Sequence, residues 1–194
     1  RLVLLGAGYQ DNLAAPHNVY GWQSLADLAE LTRADGLFSF WGARLLRLPH
    51  GPLQVWSNTA WDQALADVPQ RSVVLYFTLH GATDEAGPFL FTADVDGAGE
   101  PKHRLRLTAV LDRLAKLPPQ KQKVLLLDCT QMMVNWRLGV LANNFAAQLK
   151  QIEPQISAVP NLVVLCASDE GQRSWVCDEW RQTVYSHYII EGLK

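Results

Sequence analysis

Three cysteines and two methionines in 194 residues leave little sulfur for the fold to rely on. Cys129, Cys166 and Cys177 are odd in number, so they cannot close into a disulfide framework. No Cys-x-x-Cys pair or histidine-rich run supplies ligands at zinc spacing, and no metal or other cofactor is expected. Cys129 and Cys166 each lie in or beside an apolar run, where a reduced thiol packs as a small hydrophobe. That usage points to a reducing compartment, the cytoplasm. Charge of one sign is also missing: 17 basic against 19 acidic residues leave a net charge of −2. Such a balance gives no electrostatic reason to expect a nucleic acid or an anionic membrane as partner. Nor does any apolar stretch reach the ~18 residues that a membrane-spanning helix needs. Repeats, low-complexity tracts and linkers are absent, so residues 1–194 read as a single domain. The initiator Met is missing too, and Arg1 runs straight into Leu2-Val3-Leu4-Leu5. The chain therefore reads as a segment of a longer protein, whose other domains are expected neighbours.

What is present is a series of short apolar runs separated by amphipathic stretches. Leu2–Leu5, Leu45–Leu48, Val73–Leu79, Val124–Leu127 and Leu162–Cys166 have the length and continuity of strands buried on both faces. Between them, Ser24–Thr32, Asn58–Val68, Leu107–Leu117, Asn144–Lys150 and Gln182–Leu193 carry helical patterns, several of them stopped by proline. Phe89–Thr92 reads as a short extended piece. Strands alternating with helices predict an α/β fold, a three-layer sandwich with a mostly parallel central sheet and helices on both faces.

Chemistry gathers at two strand ends. Val73–Leu79 runs into His80-Gly81, and Val124–Leu127 runs into Asp128-Cys129-Thr130. In open α/β sheets, ligands and reactive groups collect at the carboxyl ends of the strands. A histidine beside a thiol there is the minimal equipment of a cysteine peptidase. Gly81 lets a backbone N–H approach a substrate oxygen closely, as an oxyanion donor must. Neighbouring strand residues point to opposite faces, so Cys129 and Thr130 cannot both turn towards His80 without a bulge.

Four segments, in order, resemble the caspase/metacaspase superfamily and especially its bacterial caspase-like members. They are Leu2–Tyr9, Val74–Gly81, Leu125–Thr130, and Ala167–Gln172 followed by Val184–Leu193. The resemblance implies a caspase-like cysteine endopeptidase domain acting on a peptide or protein. It makes His80 the general base and Gly81 part of the oxyanion hole. In that family the second strand ends Asp-x-Cys. By this pattern Asp128 matches the acid, Cys129 the variable position, and Thr130 the place of the nucleophile, while Gln131-Met132 replaces the usual Ser-Gly. Two readings follow. Either the site is impaired and the domain binds a partner as a pseudopeptidase, or Cys129 serves as a displaced nucleophile. The resemblance also places Asp11, Asp128, Asp169 and Glu170 in or near the substrate pocket, which favours a basic side chain. Arg173 stands close enough to invert that charge.

Other features read as structure. Gly6-Ala7-Gly8 lacks the third glycine of a dinucleotide fingerprint, because Asp11 fills its place. Asp94-Val95-Asp96-Gly97 lacks the twelfth-position acid of a calcium loop, where Leu105 stands, and reads as a solvated turn. Trp56 and Trp61 are expected in the core, with Trp175 and Trp180 near a groove or partner surface.

Overall fold

An apolar run with no polar face is shielded from water as a strand only if both its faces are covered. The computed structural model meets that condition in the strands over Leu2–Gly6, Ser72–Thr78 and Gln122–Leu127, whereas the edge strand over Leu162–Cys166 leaves Val163 and Leu165 exposed and is covered on one face only. The structure describes residues 2–10, 12–31, 65, 71–92, 95–96 and 103–194, together with the backbone of 43–47. The first described elements are β1 (Leu2–Gly6), α1 (Gly21–Leu31), β2 (Ala43–Arg47), β3 (Ser72–Thr78), β4 (Gly81–Asp84), β5 (Gly87–Phe91) and β6 (Arg104–Arg106). There follow α2 (Leu107–Ala115), β7 (Gln122–Leu127), α3 (Phe145–Gln151), α4 (Glu153–Ser157), β8 (Leu162–Cys166), β9 (Val176–Cys177), β10 (Gln182–Thr183) and α5 (Val184–Leu193).

Five strands form one sheet in the order β2-β1-β3-β7-β8, and every pairing in it is parallel. Alternation along each strand feeds two cores. Val3, Leu5, Leu75, Phe77, Leu125 and Leu127 pack on one side with Leu107, Val110, Leu111 and Leu114 of α2. On the other side, Leu2, Leu4, Tyr76 and Leu126 meet Leu25, Leu28 and Ala29 of α1 and Ile190 of α5. The expected α/β sandwich, with a parallel central sheet and helices on both faces, is what the chain forms.

The elements outside the expected list are short. β4 and β6 flank β5, which overlaps the expected Phe89–Thr92 piece, in a three-stranded antiparallel sheet that leaves the main sheet directly after His80, and β9 pairs antiparallel with β10. The expected helix over 58–68 apart from Leu65, which is helical and buried, lies outside the described residues, as do Leu48, Trp56, Trp61, Asp94 and Gly97. β7 begins two residues before its apolar run, at Gln122. Lys123 is buried there because its ammonium donates to the carbonyls of Pro160 (2.7 Å), Lys121 (3.2 Å) and Pro118 (3.4 Å).

Candidate functional site

β3 and β7 are neighbours, so their carboxyl ends deliver His80-Gly81 and Asp128-Cys129-Thr130 to the same rim. The two ends are tied together, since the Gly81 N–H donates to the Cys129 carbonyl at 2.7 Å. A Cβ at Gly81 would meet Phe145 Cδ2 at 2.8 Å and the Cys129 oxygen at 2.9 Å, which is why only glycine fits here. The amide expected to face a substrate oxygen is therefore occupied by the neighbouring strand end in this geometry.

The His80 ring is buried and stacks on Tyr9, with centroids 4.6 Å apart and planes 17° from parallel. Tyr9 sits at φ 53°, a region that side-chain-bearing residues enter at a cost of about 1–2 kcal/mol. Its hydroxyl accepts the His80 N–H at 3.1 Å and donates to the Phe91 carbonyl at 2.7 Å, so the strained residue locks both backbone and ring. His80 Nε2 lies 2.7 Å from the Pro16 carbonyl. A carbonyl can only accept, so Nε2 carries the hydrogen and Nδ1 the lone pair. Burial pushes the imidazole down from 6.5 to about 4, against the pull of the Pro16 bond, and the ring is neutral at pH 7.

Pro16 is itself held firmly. Asn12 accepts the Ala14 and Ala15 amides, and Asn18 donates to the carbonyl and hydroxyl of Thr78. From the far side Asn135 donates to the Ala14 carbonyl at 2.7 Å.

On the neighbouring strand end, the three residues have three different environments. Asp128 is buried, and its Oδ2 accepts from the hydroxyls of Tyr76 (2.8 Å) and Thr183 (2.5 Å). The network continues through Ser186, whose amide donates to the Thr183 hydroxyl and whose own hydroxyl donates to Ser24. Burial raises the Asp128 carboxyl above its usual range although both hydroxyls pull it down. Cys129 is fully buried on the Leu125–Leu127 side, with Sγ donating to the Phe77 carbonyl at 3.5 Å. Desolvation pushes its thiol well above the usual range. Thr130 is buried, and its Oγ1 accepts from the Ser168 hydroxyl at 2.6 Å. Among the described residues the His80 ring is hydrogen-bonded to Pro16, not to Cys129 or Thr130.

A cleft of about 160 Å³ opens beside His80. Besides His80 it is lined by Pro16, His17 and Val19, by Gln131 and Met132, and by Arg173–Val176. The acids expected in the pocket do not line it. Asp128 is engaged in the hydroxyl network beneath, and Asp169 is exposed and paired with Lys150 at 2.6 Å, which lowers its carboxyl. Glu170 is exposed and gives its N–H to Asp169, while Asp11 lies outside the described residues. The charged side chain at the described wall is instead Arg173, whose guanidinium lies 3.7 Å over the Trp175 ring. Pro16, Ser168 and Ser174 carry no sequence signal, since their positions come from folding of distant loops against the rim. Among the described residues no group of three His, Cys, Asp or Glu is placed to hold a metal ion, and no helix is long and apolar enough to cross a membrane.

The parallel five-stranded sheet with helices on both faces has a caspase-like fold. One solved structure with this likeness is the crystal structure of the Drosophila initiator caspase Dronc, at a TM-score of 0.56 and 14% identity. That match covers 100% of this chain and 63% of the Dronc chain, so the sequence spans under two thirds of its neighbour. No family model matches the sequence, and no curated protein matches it.

Proposed function

We propose that this chain is a caspase-like peptidase domain, of the metacaspase-like bacterial kind its motifs resemble, whose hydrolytic site is impaired. In this reading the cleft beside His80 holds a peptide segment of a protein partner without cutting it. The observation that carries the reading is the Cys129 thiol, fully buried and directed at the Phe77 carbonyl. Peptide cleavage needs a thiolate, formed when the histidine takes the thiol proton. Burial makes the imidazole a weak base and pushes the thiol well above its ordinary range, so both shifts oppose forming the imidazolium–thiolate pair.

Thr130 does not mend this. An internal threonine lacks the terminal amine that activates threonine nucleophiles, and its hydroxyl is already paired with Ser168. Binding, by contrast, asks only for a shaped cleft with a few convergent polar groups. The Arg173 guanidinium and the Gln131 amide at its wall favour an occupant with a carboxylate or carboxamide side chain over a basic one.

The test pairs turnover with labelling. Fluorogenic peptides ending in Asp, Arg or Lys should give no turnover, and an electrophilic peptide should leave Cys129 unlabelled while half-exposed Cys177 reacts with iodoacetamide. Labelling of Cys129 that disappears in His80→Ala would overturn the reading and make Cys129 the nucleophile. Thr130→Cys is expected to restore some hydrolysis.

A further inference from the structure

Large apolar side chains are exposed unevenly on this molecule. Val19, Trp175 and Val176 are exposed in the cleft wall itself. Four more stand on two loops that contribute lining residues to it: Leu13 is 91% exposed, Val134 63%, Trp136 74% and Leu141 80%. Single exposed apolar residues are ordinary, but a contiguous group of this kind marks a contact surface.

The geometry that gathers these four is built, not loose. Asn135 and Val140 exchange both backbone hydrogen bonds across a tight hairpin, at 2.8 and 2.9 Å. Val140 and Leu138 point inwards and join the core, so the pleat turns the flanking Val134 and Leu141 outwards together. The Asn135 side chain caps the turn by accepting from the Arg137 and Leu138 amides, and Gly139 closes it at φ 73°. Arg137 then joins the two loops. It donates to the Leu13 carbonyl at 3.0 Å while its guanidinium lies 5.6 Å from the Trp136 ring centroid. At the loop's base Asn143 donates to the carbonyls of Gly81 and Met132, which fixes the hairpin to the His80 rim. The polar side chains of the loop are spent on holding it, and the large apolar ones are left pointing out.

We infer that the ridge Leu13–Val134–Trp136–Leu141 is a docking surface for the same polypeptide that occupies the cleft. It takes bulky apolar side chains that flank, on the hairpin side, the residue entering beside His80. This rests on the reading of the cleft as a peptide site. The ridge and the cleft are built from the same two loops: residues 12–19 carry Leu13 and line the cleft with Pro16, His17 and Val19, and residues 131–141 carry Val134, Trp136 and Leu141 and line it with Gln131 and Met132. Its charge argues for a protein segment and not a bilayer. Arg137 is the one Lys or Arg in residues 12–20 and 131–143, and it is already engaged, whereas attraction to anionic lipid needs a cluster of basic residues.

The experiment uses fluorescein-labelled nine-residue peptides centred on Asp or on Arg, each with either Leu-Trp or Ser-Gly on both sides, read by fluorescence anisotropy. Whichever centre binds, the Leu-Trp version is expected to bind at least about tenfold more tightly. That advantage should fall below about twofold in Leu13→Ser/Trp136→Ser/Leu141→Ser and be reduced in Leu141→Glu alone, with Ser-Gly binding unchanged in both. Equal binding of the two flanks overturns the ridge proposal and leaves the cleft reading standing. If no peptide binds, the cleft reading fails and takes the ridge with it. Sedimentation of the wild-type chain, but not the triple variant, with phosphatidylcholine vesicles would assign the ridge to lipid instead. A dimer by light scattering that is lost in the triple variant would assign it to a second copy; either result overturns the proposal.

Discussion

Acid should unfold this domain partly through one buried imidazole. His80 titrates at about 4 in the fold against 6.5 in an unfolded chain, because burial disfavours its charged form. The folded pKa is depressed, so between those values the unfolded chain binds a proton that the folded chain refuses. Stability from this group is therefore complete above about pH 7 and declines as pH falls through 6.5 towards 4. A difference of about 2.5 units at 1.36 kcal/mol per unit gives about 3 kcal/mol lost over that window. For a chain of this size that corresponds to a drop of about 6–12 °C in Tm. Urea unfolding followed by circular dichroism at pH 7, 6, 5 and 4 measures the wild-type chain against His80→Gln, whose amide does not titrate. Contributions from the other acids cancel in the comparison, so the wild-type advantage should shrink by about 3 kcal/mol from pH 7 to 4. A constant difference across that range, or an imidazole that titrates near 6.5 by NMR, would refute the buried, Pro16-bonded ring.

Three further substitutions probe the scaffold around that ring. Gly81→Ala pushes a Cβ against Phe145 and the Cys129 carbonyl at under 3 Å, and should cost about 1–3 kcal/mol by chemical denaturation while opening the contact between the two strand ends. Tyr9→Phe keeps the stack but removes the hydroxyl that serves the His80 amide and the Phe91 carbonyl. A loss of about 1–3 kcal/mol is expected, with the His80 titration by NMR still held below its ordinary value. Lys123→Met strips three carbonyls of their shared donor at the far end of β7, and should cost about 1–3 kcal/mol in urea unfolding without moving the His80 titration.

The central strands were legible because each is an unbroken apolar run buried on both faces, although the same signal in Leu162–Cys166 belongs to an edge strand with Val163 and Leu165 exposed. Lys123 shows the limit of that signal. Its charge hides the first residues of β7, and only the fold reveals the carbonyls of residues 118, 121 and 160 that receive it. The small sheet was legible only in β5. Gly81–Asp84 has no apolar alternation and Arg104–Arg106 is too short for its one buried residue, Leu105, to signal a strand; they are held by Asp84 accepting from Arg104 and Arg106, both guanidiniums lying against Phe89. At the rim, strand endings pointed to His80, Gly81 and residues 128–130, and side-chain alternation anticipated that Cys129 and Thr130 would part. Asp169 was legible only as an acid near a strand end. Its actual partner, Lys150, comes from a helix on the other side of α4 and is invisible to spacing.

The three residues at the end of β7 explain why the rim suits holding better than cutting. A reactive site keeps its nucleophile short of a full set of partners, so that the bond it lacks can be made with substrate. Here Asp128 is tied to Tyr76 and Thr183, Cys129 to the Phe77 carbonyl, and Thr130 to Ser168. Each bond satisfies a buried polar group whose exposure to an apolar environment would cost about 1–3 kcal/mol. Rotating Cys129 towards the cleft would break its bond and empty a filled core position; freeing Thr130 would orphan the Ser168 hydroxyl. The histidine side is equally settled, with ring, amide and Nε2 all bound and Nδ1 left as a weak base. Above them the cleft is lined by Gln131 and by Arg173, whose guanidinium rests on the Trp175 ring, with the apolar ridge beside it. Recognition groups at the surface, above a strand end whose thiol and hydroxyl are engaged, suit binding better than cutting.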